Sequence, residues 1–174
     1  MKVSTDVKET KKIFHDILPI GKSFDVIERE VIIGEKLSYM YFIDGFVKDG
    51  VVAKLINFLL GLTPEKLKDI KNANEFVSRF ITYVEVDVDN DIEKIVQMYL
   101  SGATILIIDG FSEAIIIDAR TYPARSTEEP EKEKVLRGSR DGFVETVVFN
   151  TALLRRRIRD PKFTAEIVNI GNRS

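Results

Sequence analysis

Four residues around one apolar stretch have the chemistry to bind a small molecule: Asp109, Asp118, Arg120 and Arg125. A guanidinium presents a fixed fork of donors that matches a carboxylate bidentately, so Arg120 or Arg125 could grip a carboxylated ligand in a cleft beside Asp109 and Asp118. Both aspartates also have structural uses, Asp109 as a turn residue before Gly110 and Asp118 as an ion-pair partner. A second set of charges follows at Glu129, Glu131, Arg137 and Arg140, inside a mixed-sign run broken by Pro123 and Pro130. Such a run reads as a solvated linker, as an internal ion-pair network clamped over the domain, or as a contact surface for other subunits. A third cluster, Arg155, Arg156 and Arg157 with Arg159 beyond, suits either a helix C-terminus, where cations complement the macrodipole, or a subunit contact.

Other chemistries lack their residues. The chain contains no cysteine, hence no thiolate nucleophile, disulfide or cysteine-based zinc site, and its single histidine, His15, has no second histidine to share a metal. Asp87, Asp89, Asp91 and Glu93 superficially resemble a calcium loop. Ile92 stands where that loop needs its glycine and Met98 where it needs its bidentate acid, so strand alternation followed by a helix cap explains the acids better. No phosphate-cradling glycine loop, HExxH or GxSxG is present, and no nucleophile is paired with a base, so no catalytic residue, enzyme activity, cofactor or metal is expected. The formal net charge of −2 and the want of aromatics interleaved with the arginines argue against a nucleic-acid partner.

The elements that position these residues follow from apolar periodicity. Residues 103 to 108 and 114 to 117 form two β-branched runs joined through Asp109-Gly110, which predicts a hairpin. Neither run alternates with polar residues. Strands apolar on both faces need cover on both faces, so the hairpin belongs in the middle of a sheet with helices on either side. Helices are predicted over residues 4 to 18, 51 to 60, from Pro64 with Thr63 as cap, over 74 to 80, and from Ile92 to Leu100 with Asp91 as cap. Strands are predicted over residues 24 to 33, 37 to 44 and 81 to 88. A last helix should begin at an Asp141 cap and run to Ile158, with Val144, Val147, Val148, Thr151, Leu154 and Ile158 inward, and a last strand should occupy 163 to 170. The tetrapeptide FIDG at 42 to 45 has an echo, IIDG, at 107 to 110, which turn chemistry explains more simply than a duplication.

Several of these stretches also resemble a known family. Tyr99-Leu100-Ser101-Gly102, then IDG, IIIDAR, PARSTEEPEKEKVLRGSRDGFVE and TALLRRRI with RDP, together with the earlier YFIDGFVKDGVV, resemble the soluble N-terminal domain of the A subunit of GerA-type spore germinant receptors. The resemblance covers roughly residues 38 to 173, and Ser139 stands where family members often carry proline. It implies a membrane-embedded receptor subunit of the spore inner membrane, with this domain on the cytoplasmic, spore-core side. Such a receptor senses nutrients such as amino acids or sugars, works with other germinant receptor subunits, and triggers germination by gating ion flow. It also implies that the region continues beyond residue 174.

The fold expected is therefore α/β, a mixed β-sheet flanked by helices. It would comprise an α/β subdomain over residues 1 to 120, a charged loop over 121 to 140, and a bridging helix and strand over 141 to 174 leading to an incomplete second subdomain. No apolar run approaches the roughly 18 residues that a membrane helix needs, and the polar N-terminal stretch lacks the apolar core of a Sec signal peptide.

Overall fold

The computed structural model describes residues 1–47, 49–82, 85–120, 143–168 and 170–171. The charged loop, with Arg125, Glu129, Glu131, Arg137, Arg140 and the proposed cap Asp141, lies outside them.

Among the described residues one five-stranded sheet organises the chain. Its strands are β1 (Val26–Ile33), β2 (Lys36–Ile43), β3 (Val86–Asp89), β4 (Thr104–Ile108) and β5 (Ala114–Ile117), in the spatial order β1-β2-β4-β5-β3. The helices are α1 (Val7–Ile17), α2 (Asp49–Leu60), α3 (Pro64–Leu67), α4 (Ala73–Phe80), α5 (Ile92–Leu100) and α6 (Val147–Arg157). The hairpin β4–β5 is interior to the sheet, and every residue of both strands is buried. Side chains alternate between faces along a strand. Ile105, Ile107 and Ile116 accordingly pack with Val7 and Phe14 of α1 and with Ile95 and Tyr99 of α5. Leu106, Ile108, Ile115 and Ile117 pack on the opposite side with Val52 and Leu59 of α2, Leu67 of α3 and Phe76 of α4. Helices thus cover both faces, as strands without a polar face require.

All four ladders are antiparallel, where a mixed sheet was expected. The reason lies in the unit β3–α5–β4. Its two strands run parallel, as a helical crossover dictates, but β5 folds back from β4 and inserts between them, so the parallel strands are never neighbours.

Helix α5 starts at Asp91, whose carboxylate accepts from the Glu93 N–H at 3.0 Å. Helix α4 is capped by Asn72. Thr63 precedes Pro64 as expected but makes no side-chain cap bond. Two expectations fail at the C-terminal end. Residues 163–168 form no strand: they lie beside the residues that precede β1, joined by one backbone bond from the Phe24 N–H to the Ala165 carbonyl, 3.0 Å. Alternation alone makes no strand when no ladder continues past the first bond. Helix α6 begins only at Val147 and is turned part-way from the apolar stripe predicted for it, keeping Thr151 and Val148 toward the sheet. Val147, Leu154 and Ile158 are 58, 37 and 43% exposed, and the buried residues are Thr151, Ala152 and Arg155.

Candidate functional site

Among the described residues proposed for a ligand, Asp109, Asp118 and Arg120 each engage partners within the chain. Asp109 ends β4, and its carboxylate accepts from the Val7 N–H at the start of α1, 3.3 Å away, while its carbonyl accepts from Lys36 Nζ at 3.1 Å. The next residue, Gly110, has φ +88° and donates its N–H to the Thr5 carbonyl at 2.8 Å. Positive φ favours glycine here, and the turn as a whole seats the N-terminus of α1. Asp109 therefore occupies the turn role foreseen for it.

Asp118 and Arg120 engage each other. Arg120 Nε donates to Asp118 Oδ1 at 2.6 Å, Nη2 donates to Oδ2, and Nη1 reaches the Ser101 carbonyl at 3.2 Å. This bidentate pairing holds the Asp118 carboxyl below the usual carboxylate range, against the opposing effect of partial burial. The fork that could take a ligand carboxylate already holds a carboxylate of its own chain. Arg120 also packs along Gly102, where a Cβ would lie 3.2 Å from its Cδ. Arg125 lies outside the described residues.

The arginine cluster divides. Arg156 and Arg157 are exposed on α6, and Arg159 reaches Ser101 Oγ at 3.4 Å. Arg155 is fully buried. Its Nε donates to Asp25 Oδ2, and its Nη2 donates to Asp25 Oδ1 at 2.9 Å, to Ser23 Oγ at 3.1 Å and to the Phe163 carbonyl at 3.1 Å. The guanidinium also stands 4.7 Å from the centre of the Phe163 ring, a cation–π contact. Asp25 is as buried as its partner and takes a further bond from the Ser23 hydroxyl. Arg155 thus joins α6, the start of β1 and the C-terminal segment, and its charge is turned inward. It corrects the placement of Arg155 on an outer contact surface with Arg156 and Arg157.

Ser23 and Asp25 carry no sequence motif. The detectable signal was on α6 itself, where Val148, Ala152 and Arg155 fall at helical spacing. An arginine on that inward face demands a buried carboxylate, because an unpaired buried charge is prohibitively costly. Helix α6 also depends on the turn after β2. Gly45 has φ +83°, and a Cβ there would lie 3.0 Å from Val148 Cγ1 and 3.1 Å from Ala152 Cβ. The two Asp-Gly echoes therefore share a use: one turn receives α6, the other α1.

A third polar group lies on the far surface of α1. Glu28 of β1 accepts from Lys11 Nζ at 2.9 Å and pairs with His15 Nε2 at 2.7 Å. Burial opposes the ionised form of Glu28, but the two partners outweigh it and lower its carboxyl below the usual range. Among the described residues no group of three or more acids or histidines is placed to hold a metal, and no helix is long and apolar enough to cross a membrane.

Comparison with known proteins places this geometry. The family described as Bacillus/Clostridium GerA spore germination protein matches residues 12–174. The chain belongs to that family. It is 34% identical over 174 residues to stage V sporulation protein AF of Bacillus subtilis (strain 168), covering all of this chain and 35% of that protein. It is 31% identical over 135 residues to spore germination protein B1 of the same organism, covering 78% of this chain and 28% of the relative. The chain therefore spans about a third of the length of these relatives. In fold it is similar to the N-terminal domain of the A subunit of the Bacillus megaterium spore germinant receptor GerK3, with a TM-score of 0.71 at 18% identity, covering the whole of this chain and 63% of that one.

Proposed function

We propose that this GerA-family domain serves spore germination as an assembly module of a membrane-associated germinant receptor subunit, contacting other receptor subunits rather than holding the nutrient itself. The observation that carries this reading is the surface of α6, where the side chains of Val147, Leu154 and Ile158 are exposed beside Arg156 and Arg157. Asp109 seats α1 and Asp118 is paired with Arg120. Exposed apolar groups next to arginines are the composition of subunit contacts. Helix α6 and the segment after it would lead toward a second subdomain, and the whole subunit would sit in the spore inner membrane with this domain on the core side.

The competing reading keeps a small nutrient, an amino acid or sugar, at Asp109, Asp118, Arg120 and Arg125. Two measurements separate the readings. Charge reversal at Arg156 and Arg157 in the full-length subunit should abolish its co-purification with the other receptor subunits, and intact complexes would overturn the assembly reading. Ligand-observed NMR of this chain against amino acids, sugars and nucleosides should stay silent. Selective binding that disappears in an Arg120→Ala variant of matched Tm would restore the nutrient reading.

A further inference from the structure

Helix α6 is attached to the sheet largely through a buried ion pair. Among the described residues it gives the apolar core one side chain, Ala152. Its remaining buried residues are Thr151, whose hydroxyl bonds back to the Val147 carbonyl of its own helix, and Arg155. The segment after it is tied down through the same polar group: the Phe163 carbonyl accepts from Arg155, the Ala165 N–H donates to Ser23 Oγ at 2.9 Å, and the Phe24 N–H donates to the Ala165 carbonyl. Beyond these bonds Ile167, Val168 and Ile170 are exposed.

We infer that α6 and the segment through Ala165 form one releasable unit, latched to the sheet by the Asp25–Arg155 pair, that opens as a whole without unfolding the strands. Two physical features make the latch all-or-none. When it is closed, the attraction and hydrogen bonds of the pair offset the desolvation of both ions; when it is open, both ions are hydrated again, so the two end states lie close in free energy. A half-open state would leave one ion buried without the other, the arrangement that low-dielectric surroundings penalise most. The helix gives the apolar core a single fully buried side chain, Ala152, so the core resists opening less than it would resist loss of a helix with a full apolar stripe. Arg155 Nη1, buried and without a partner among the described residues, weakens the closed state further.

Opening would present Val148, Thr151 and Ala152 together with the already exposed Val147, Leu154 and Ile158, changing a narrow apolar stripe into a broad helix face. A partner that binds the broad face would shift the equilibrium by its preference for the open state. The unit is thus a conformational switch within the domain, and it stands whether or not the assembly reading does. Arg155 and Asp25 are its positioning residues.

Native-state hydrogen exchange resolved by peptide tests this on the wild-type chain. The hydrogen-bonded amides of α6 and that of Ala165 should share one opening free energy, well below that of the β4–β5 hairpin. If α6 is protected as strongly as β4, the latch is refuted without any variant being made. Asp25→Asn should speed exchange in both segments by about 10-fold or more while leaving the hairpin unchanged; a uniform rise across the sheet would refute it. The double variant Asp25→Leu/Arg155→Met, with both charges gone, should recover the protection that Asp25→Asn loses. Failure of that recovery would show that the isolated buried charge is not what releases the segment. Gly45→Ala, which pushes a methyl against Val148 and Ala152 from the other side, should loosen the same two segments and no others.

Discussion

In the β4–β5 hairpin every strand residue is buried, and both faces are apolar apart from Thr104; of the eleven residues of α6 only Thr151, Ala152 and Arg155 are buried. The two elements are linked to the same sheet by different forces. The hairpin is held by non-directional apolar burial spread over many contacts, which no single group controls. Helix α6 is held by a directional cluster in which one guanidinium meets one carboxylate, one hydroxyl, one carbonyl and one ring. Distributed burial makes a rigid body, while a concentrated polar cluster makes an attachment that one event can undo.

The largest effect should come from the hairpin. Ile105 is fully buried between the sheet and helices α1 and α5, so Ile105→Ala should lower the unfolding free energy by roughly 2–5 kcal/mol, the range for a buried large-to-small change. Urea denaturation followed by circular dichroism measures it, and the loss should appear equally in strands and helices. A loss confined to one element would mean that the sheet is not the single body described here.

A smaller effect separates polar contacts at the surface from the buried cluster. Lowered in the folded state, the Glu28 carboxyl contributes stability that is present above its ordinary value of 4.5 and disappears as pH falls through the lower folded value. Wild type should therefore lose more stability than Glu28→Gln between about pH 5 and pH 3, by less than about 1 kcal/mol because Lys11 and His15 are partly solvated. Parallel acid titrations of Tm would test the sign, and identical curves would show that the clamp on α1 is energetically silent.

The contrast between the two regions also explains what could be read from the chain. The hairpin was legible because its signal is local: two apolar runs, too short for helices, around Asp109-Gly110. Asp91 was legible as a cap for the same reason. The facing of α6 was not. The predicted stripe of Val144, Val147, Val148, Thr151, Leu154 and Ile158 satisfies helical spacing as well as Val148, Thr151, Ala152 and Arg155 do, and apolar content favours the first set. The second set is inward because Asp25, 130 residues away, supplies the counter-charge and Gly45 the clearance. The same limit applied to the ligand residues. Sequence offers Arg120 as a holder of carboxylates and Asp118 as an ion-pair partner, and folding shows that each satisfies the other. The antiparallel sheet escaped for a related reason, since the insertion of β5 between β3 and β4 is a pairing choice that no single segment encodes.

The smallest effect is the most diagnostic for α6. If Leu154 and Ile158 belonged to the core of this domain, replacing both by serine would cost several kcal/mol. At 37 and 43% exposure they contribute little to its folding, and each exposed substitution away from a structural contact typically moves stability by no more than about 0.5 kcal/mol. The double variant Leu154→Ser/Ile158→Ser should therefore unfold at nearly the wild-type urea midpoint. In the full-length subunit the same variant should lower co-purification with the other receptor subunits. Apolar side chains that a domain does not need for its own stability, yet whose loss weakens a complex, are the energetic mark of a contact surface. A large drop in the urea midpoint would instead place the stripe in the core and remove the contrast between α6 and the hairpin.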